Sequence, residues 1–592
     1  MDTPTPSPSE PQADLVSELL RNVDRTVHAQ IGQMFKGLSP VQAALVYLDW
    51  AAHLTLSPGK QMDVMWKMLQ DMMQVCPDLA THALPFQAAH HDGTTGPISC
   101  HPGDKRFQAP AWSQWPFNLY AQNFLVLERA WERATHDVPG MSHKTEDVAS
   151  FAARNWLDIM APSNIPWMNP EVLNATMQEG GLNWVRGAMN FADDYQRLIR
   201  GLPEAGVDRF KVGENVAITP GKVVFQNDLI ELIQYTPTTE KVHAEPILIV
   251  PAWIMKYYIL DLSPQKSLVK YLVDQGHTVF MISWKNPTSH ERDKGMEDYR
   301  RDGVMAAIDT VSEIVPKRKI HAVGYCLGGT ILMIAAATMG RDGDDRLASM
   351  SLFAAQGDFT EAGELLLFIN ESEVNLIEAM MWEQGYLKGA QMAGTFQLLN
   401  SNDLIWSRIL KEYMLGQRYQ PNDLMAWNAD TTRMPYRMHS EYLHRLFLHN
   451  DLATGRYEVN GHPIWFTDIQ VPCFAVGTKT DHVAPWKSVF KLHLLPVDLT
   501  FVLTNGGHNA GIVSEPGHPH RSYQIRYRPA GGKYLSPEAW LEQAPAHEGS
   551  WWPAWQQWLA DHSSGRVSPP KTGKPGNKMI LSDAPGSYVR EH

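Results

Sequence analysis

The stretch Lys319-Ile320-His321-Ala322-Val323-Gly324-Tyr325-Cys326-Leu327-Gly328-Gly329-Thr330 decides the fold of this 592-residue chain. Its first half is a short apolar strand, and Ile331-Leu332-Met333-Ile334-Ala335-Ala336-Ala337 behind it has helix-forming character. Gly324 and Gly328 stand two residues either side of Cys326. A side chain at either place would collide as the helix folds back on its strand, and the turn between them is itself strained. A sharp strand–turn–helix of this kind lifts its central side chain above the end of a sheet, where it can serve as a nucleophile. Here that side chain is a thiol.

Composition narrows what such a nucleophile serves. Lys and Arg number 51 against 64 Asp and Glu, a formal charge of −13, and no basic stripe interrupts the excess. A nucleic-acid footprint is therefore not expected. The four cysteines, Cys76, Cys100, Cys326 and Cys473, show neither zinc-ligand nor disulfide-framework spacing, which fits a reducing cytoplasm. The opening Met1-Asp2-Thr3-Pro4-Thr5-Pro6-Ser7-Pro8 lacks the charged start and apolar run of a signal peptide, and no run reaches the roughly 18 apolar residues of a membrane span. The expectation is a soluble, cytoplasmic protein. Twenty Trp and 27 Met are a surplus. Core packing accounts for most of them, and such a surplus also suits a greasy substrate or surface.

Working outward from the elbow, strand-like runs alternate with helical ones from about residue 215. The strands are expected at 228–235, 246–250, 278–282, 320–324, 350–353, 473–477 and 499–504, with helices at 266–275, 303–314 and 327–339. Alternation of this kind implies an α/β fold: a mostly parallel sheet with right-handed crossovers, the α/β-hydrolase core. Residues 360–450, rich in Leu, Met, Trp and Tyr, fall between the fifth and sixth of these strands and are expected as an inserted helical cap over the strand ends. Upstream, Val41, Leu45, Leu48 and Ala52, then Met62, Met65, Met68 and Met72, recur at helical steps. The expected organisation is a disordered 1–14, a helical N-terminal domain over 15–212, a catalytic domain over 213–562 and a flexible tail over 563–592.

A nucleophilic thiol needs a base, and the base an orienting acid. In this fold the acid and then the base follow the nucleophile on loops after late strands. Strand 473–477 runs into Thr478-Lys479-Thr480-Asp481, and strand 499–504 into Asn505-Gly506-Gly507-His508-Asn509-Ala510-Gly511. Cys326, Asp481 and His508 are accordingly the expected triad. His482, beside Asp481, is expected in a supporting or structural role. Asp498 precedes its strand and is the weaker acid. His518 and His520 sit in a Pro-rich loop, and Cys473 begins a buried strand. The oxyanion donors are expected to be the backbone N–H of Leu327 and that of Ile254, in Pro251-Ala252-Trp253-Ile254-Met255. No metal site and no cofactor are expected. A thiol ordinarily ionises near pH 8.5 and gains thiolate character beside a histidine or a helix N-terminus. Its attack on an acyl thioester keeps the acyl group activated, so that a hydroxyl can then take it downhill to an ester. If that hydroxyl belongs to a growing chain, the outcome is polymerisation.

Beyond these residues the chain resembles the polyhydroxyalkanoate synthases, class I type. The resemblance runs through Asp104-Lys105-Arg106-Phe107, Ala161-Pro162-Ser163-Asn164, Asn169-Pro170, Lys256-Tyr257-Tyr258-Ile259-Leu260-Asp261-Leu262, Ser283-Trp284-Lys285-Asn286-Pro287, Gly324-Tyr325-Cys326-Leu327-Gly328-Gly329, Asp481-His482-Val483-Ala484-Pro485-Trp486 and Gly507-His508. It implies an acyltransferase that takes (R)-3-hydroxyacyl-CoA, short-chain 3-hydroxybutyryl-CoA foremost, releases CoA and makes polyester. It further implies homodimerisation, residence on cytoplasmic storage granules and contact with granule-coating proteins. The family's cysteine, aspartate and histidine fall on Cys326, Asp481 and His508. By resemblance His508 activates both the thiol and the incoming hydroxyl, while Asp481 either orients His508 or assists at the hydroxyl. The chain departs from the family where Trp253-Ile254-Met255 replaces the common Cys-Ile-Asn, and Asn509 follows the histidine. Two other readings stay open: a catalytically weak granule-associated paralogue, which the altered loop suggests, and a cysteine-elbow hydrolase, since such hydrolases share the fold.

Overall fold

The computed structural model describes residues 10–82, 98–100, 104–389, 391, 401–574 and 581–592. At its centre lies an eleven-stranded sheet. In chain order its strands are β1 (Gly221–Gln226), β2 (Ile230–Tyr235), β3 (Ile247–Val250), β4 (Val279–Trp284), β5 (Ile320–Tyr325), β6 (Leu347–Phe353), β7 (Cys473–Thr478), β8 (Leu499–Thr504), β9 (Ser522–Arg528), β10 (Ala546–Glu548) and β11 (Ser582–Asp583). They lie in the order β10-β9-β8-β7-β6-β5-β3-β4-β2-β1-β11. From β4 through β3, β5, β6 and β7 to β8 all neighbours run parallel, and both flanks are antiparallel. This is the α/β-hydrolase arrangement.

All seven strands expected from the sequence form. Six are buried along their whole length and β6 is exposed in part at one residue, Ala348. Helices cover parallel strands on both faces, so such strands read as unbroken apolar runs. Of the antiparallel flanking strands only β2 was expected; β1, β9, β10 and β11 are more exposed and carry no such run. β9, Ser522-Tyr523-Gln524-Ile525-Arg526-Tyr527-Arg528, is half-buried throughout and exposed at Tyr527.

Register sets what the carboxyl ends of the strands bring together. Tyr325 pairs with Phe353, Phe353 with Val476, and Thr478 with Thr504. β7 and β8 therefore end level with each other, two residues beyond the end of β5, and the loops that follow all three open at the same end of the sheet. Ligand sites in open α/β sheets form at these carboxyl ends.

Two compact units make up the chain. One takes the described residues of Met1–Gly37, Val207–Met392 and Asn422–His592; the other those of Leu38–Gly206 and Ala393–Pro421. The division expected at 212 falls close to the one at Val207, but the first helix and part of the insertion change sides. Glu10–Met34 is helical, so of the stretch expected to be disordered residues 10–14 are ordered, and 1–9 lie outside the described residues. That helix packs along Glu371–Gln384 of the insertion. Gln33 Nε2 donates to Glu383 Oε2 at 3.1 Å, and the Arg25 guanidinium lies 5.4 Å from the Trp382 ring centroid.

In the second unit the helices Pro40–Thr55, Pro58–His82, Phe117–Thr135, His143–Met160, Pro170–Gln178 and Leu182–Arg200 are joined by residues 401–421 of the insertion. The Asp104–Phe107 motif is explained here. Arg106, its side chain largely covered, donates to Asp104, Glu128 Oε1 (2.7 Å) and Asp158 Oδ1 (3.0 Å), and Ser401 Oγ donates to Asp158 Oδ2 at 2.8 Å. A buried guanidinium with three carboxylate partners is a structural tie, since removing one partner leaves charge unpaired in the interior. Asn169 caps Pro170–Gln178 by accepting from the N–H groups of Glu171 and Val172.

The tail corrects a further expectation. Residues 563–574 and 581–592 are ordered, with β11 on the sheet edge and Val589 buried. The Glu231 carboxylate receives the N–H groups of Ser587 (2.9 Å) and Tyr588 (3.0 Å) and the Ser587 hydroxyl (2.6 Å). Lys256 Nζ donates to the Glu591 carbonyl at 2.6 Å. Ser, Pro, Gly and Lys in the tail signalled disorder, yet partners more than 300 residues upstream in sequence satisfy its backbone. Among the described residues no helix is long and apolar enough to cross a membrane.

Candidate active site

Cys326 follows β5 with φ 52° and ψ −126°, a conformation that L-residues rarely adopt. The strain is held from both sides. Cys326 N–H donates to the Phe353 carbonyl at 2.9 Å, and its own carbonyl accepts from Gly329 N–H at 2.9 Å. A Cβ at Gly324 would stand 2.3 Å from the Gly329 Cα, and one at Gly328 2.0 Å from the Val250 carbonyl oxygen. The two flanking glycines are thus demanded by backbone approach, as the sequence implied. Leu327 opens the helix Leu327–Asp342, so its N–H is one of the four at that terminus without an intrahelical acceptor.

Asp481 and His508 meet on the neighbouring loops. His508 Nδ1 lies 2.8 Å from Asp481 Oδ2. The rest of the carboxylate is saturated: Thr478 Oγ1 donates to Oδ2 at 2.7 Å, and the N–H groups of Val483 and Ala484 donate to Oδ1 at 2.8 Å each. Burial disfavours the Asp481 charge, but the His508 charge and these bonds outweigh it and hold the carboxyl below its ordinary range. At His508 burial likewise opposes charge. The Asp481 carboxylate, the Cys326 sulfur and hydrogen bonds to both prevail, lifting the imidazole well above its ordinary range. With Nδ1 committed to Asp481, the nitrogen left to face Cys326 is Nε2. Chemically this is a thiol beside an oriented imidazole, an arrangement for nucleophilic catalysis.

The other expected residues fall as follows. Ile254 lies in the turn after β3, between buried Trp253 and Met255, and the Val250–Pro251 backbone of that segment abuts Gly328 at the elbow. His482 is mostly exposed and its Nδ1 lies 4.0 Å from Glu364 Oε1; its backbone carbonyl receives Glu364 N–H at 3.2 Å. The structural part of His482 is therefore its backbone. Asp498 accepts from the Tyr527 hydroxyl at 3.0 Å and its carbonyl receives Cys473 N–H, at the opposite strand end from the triad. Cys473 is buried and its thiol is pushed up to about 12, the behaviour of a small apolar residue. Among the described residues no cluster of three or more His, Cys, Asp or Glu is arranged to hold a metal ion.

Two residues at the site, Thr478 and Tyr442, gave no usable sequence signal, and the structure gives the Trp253 departure its setting. Thr478 bonds Asp481 from the last residue of β7. Tyr442, from the insertion, is buried close enough to Cys326 for the sulfur charge to add to burial in raising its phenol. Trp253 packs against it edge-on, with centroids 6.1 Å apart at 85°, and lies 5.7 Å from the Tyr299 ring. The departure at Trp253 thus places an indole in an aromatic cluster that reaches the nucleophile.

Comparison with known proteins joins this site to a family. The model for the N-terminus of poly-beta-hydroxybutyrate polymerase matches residues 103–272, that for the same polymerase's N-terminal segment matches 18–60, and that for the alpha/beta hydrolase fold matches 245–515. A poly(3-hydroxyalkanoate) polymerase of Methylorubrum extorquens is 42% identical over 497 residues, covering 83% of this chain and 81% of that protein. The poly(3-hydroxyalkanoate) polymerase subunit PhaC of Rhizobium meliloti is 38% identical over 84% of this chain and 81% of its own. Its counterpart in Cupriavidus necator is 34% identical over 92% and 90%.

Proposed function

Because the chain belongs to the poly(3-hydroxyalkanoate) polymerase family, we propose that it is an acyltransferase polymerising short-chain (R)-3-hydroxyacyl-CoA through a thioester on Cys326. His508 takes the Cys326 thiol proton, and the sulfur attacks the thioester carbonyl. The oxyanion is received by the backbone N–H groups of Leu327 and Ile254. As the tetrahedral intermediate collapses, the bond to the CoA sulfur breaks and His508 returns its proton to the departing thiolate. The acyl group then rests on Cys326 as a thioester of similar energy. The terminal 3-hydroxyl of the growing chain next gives its proton to His508 and attacks that thioester. The ester forms, the carbon–sulfur bond breaks, and Cys326 recovers its proton. Each cycle uses one thioester, releases one CoA and calls on no metal or further cofactor. Asp481 holds the imidazole in the tautomer both half-reactions need.

The observation that carries this reading is the Asp481–His508 bond at 2.8 Å beside a cysteine at the elbow. A thiol nucleophile suits a thioester substrate because acyl exchange between sulfurs is near-balanced and leaves the descent to the ester for the second step. Trp253 packs against Tyr442 and Tyr299, and on this reading its indole limits acyl length and favours short chains. The same reading places the protein in the cytoplasm as a homodimer on polyester granules, alongside granule-coating proteins.

Purified protein given (R)-3-hydroxybutyryl-CoA tests it. Free CoA together with insoluble polyester is the expected result, and Cys326→Ala should abolish both while keeping the fold. Free hydroxy acid in place of polymer would transfer the proposal to a hydrolase. Polymer made by Cys326→Ala would end the cysteine mechanism.

A further inference from the structure

Tyr325 immediately precedes the nucleophile and Asn509 immediately follows the base, and the two side chains are bonded to each other. The Tyr325 hydroxyl donates to Asn509 Oδ1 at 2.6 Å. Asn509 Nδ2 in turn donates to Asn428 Oδ1 at 3.3 Å. Asn428 lies on the helix Asp423–Ala429 of the insertion between β6 and β7. Three segments that meet nowhere in sequence are thereby linked: the elbow, the base loop and the insertion.

Each end of the link is fixed. Tyr325 is the last residue of β5, fully buried, with its ring 5.7 Å from the His508 ring. The Asn509 carbonyl accepts the N–H groups of Ile512 (3.1 Å) and Val513 (3.0 Å). Trp551 and Trp552 donate their indole N–H groups to the next carbonyls, Gly511 and Ile512, at 3.0 Å each. The helix with Asn428 is held by Lys266 Nζ on Asp423 Oδ1 (2.7 Å) and by Trp427 Nε1 on the Lys256 carbonyl (2.7 Å). In this arrangement the Asn509 amide turns its oxygen toward the tyrosine and its nitrogen toward Asn428. Asn509 also sits one residue from His508, so its placement sets that of the imidazole.

We propose that Tyr325, Asn509 and Asn428 form a relay that positions His508 against Cys326 and ties that placement to the helix Asp423–Ala429. All three are positioning residues, since none touches the reacting atoms. The inference rests on the pairing of Cys326 with His508 proposed above. A pair held in contact favours proton transfer from sulfur to nitrogen; a pair left free to drift apart loses it.

The test uses the full chain and a readout that needs no acyl-CoA: the rate of iodoacetamide alkylation at Cys326, followed by peptide mass spectrometry across pH. Tyr325→Phe and Asn509→Ala are each expected to slow alkylation at neutral pH by about two- to tenfold, the range of one hydrogen bond. Both should move the pH midpoint of alkylation upward, and the double variant should be no slower than the slower single. Asn428→Ala is expected to shift the profile in the same direction by less. Tyr325→Phe removes one oxygen and keeps the ring, so a folded protein is available even where Asn509→Ala fails to fold. Single variants that alkylate at the unaltered rate, or a double variant whose loss is the product of the two singles, would overturn the relay. Because alkylation is read without substrate, a failure to make polyester bears on the proposed function and leaves this result standing.

Discussion

Gly328→Ala probes the elbow most directly. An added Cβ would lie 2.0 Å from the Val250 carbonyl oxygen and 2.6 Å from both the carbonyl carbon and oxygen of Pro251. A carbon settles against a carbonyl oxygen at about 3.3 Å, so the two backbones must part by about 1.3 Å. Neither can yield by turning a side chain. Val250 is paired with Gly324 in the sheet, and the segment it leads into carries Trp253 and Ile254. The displacement therefore separates the elbow amide of Leu327 from the Ile254 amide. An error of about 1 Å at a reacting centre lowers turnover by up to about a hundredfold. Overpacking of this kind destabilises by about 1–3 kcal/mol. Thioester consumption, read as loss of thioester absorbance, should fall by about that factor, with a urea midpoint lowered but still cooperative. Gly343→Ala is the matched control: φ there is +76° and nothing lies within 4 Å of an added Cβ. It should cost about 1–2 kcal/mol through backbone strain alone and leave turnover intact. Normal turnover in Gly328→Ala, or an equal loss in Gly343→Ala, would refute the reasoning.

Acid should destabilise the fold from below pH 6.5. Burial, with His243, His321 and Arg566 nearby, pushes His277 to about 3, and burial, partly offset by Glu245, pushes His321 to about 4. The unfolded chain takes up protons at these rings near pH 6.5 and the folded one does not. Stability is therefore whole above that pH and falls toward pH 4, at about 2.7 kcal/mol per unit near pH 5 for the two rings together; a urea midpoint flat between pH 6.5 and 4.5 contradicts this. Glu231→Gln should loosen the tail, raising hydrogen exchange at Ser587 and Tyr588 about tenfold or more, since bonds to a charged acceptor are the strong ones; unchanged protection would mean that other contacts hold the tail. Trp253→Cys should raise kcat/KM for six-carbon over four-carbon 3-hydroxyacyl-CoA by about tenfold, the scale on which a hydrophobic pocket discriminates methylenes. An unaltered ratio would remove Trp253 from the acyl pocket.

The sequence determined by itself whatever depends on local pattern. Buried parallel strands read as apolar runs, so β3 to β8 stood out, and antiparallel β2 stood out with them because it too is buried along its length. The elbow must have glycine where backbones touch, so Gly324 and Gly328 framed Cys326. Chain order then picked Asp481 and His508, and the structure joins these two by a 2.8 Å bond. The tertiary structure decided what depends on partners distant in sequence. The tail is ordered because Glu231 and Lys256 satisfy its backbone, and its composition carries no trace of them. The helix Glu10–Met34 sits with the catalytic unit because Glu371–Gln384 offers it a face. Asn509 read as a small departure beside the base, until Tyr325 and Asn428 were found on either side of its amide. Residues placed by chain order follow from the sequence, whereas side-chain partners such as Tyr325 and Asn428 for Asn509 are chosen by the fold.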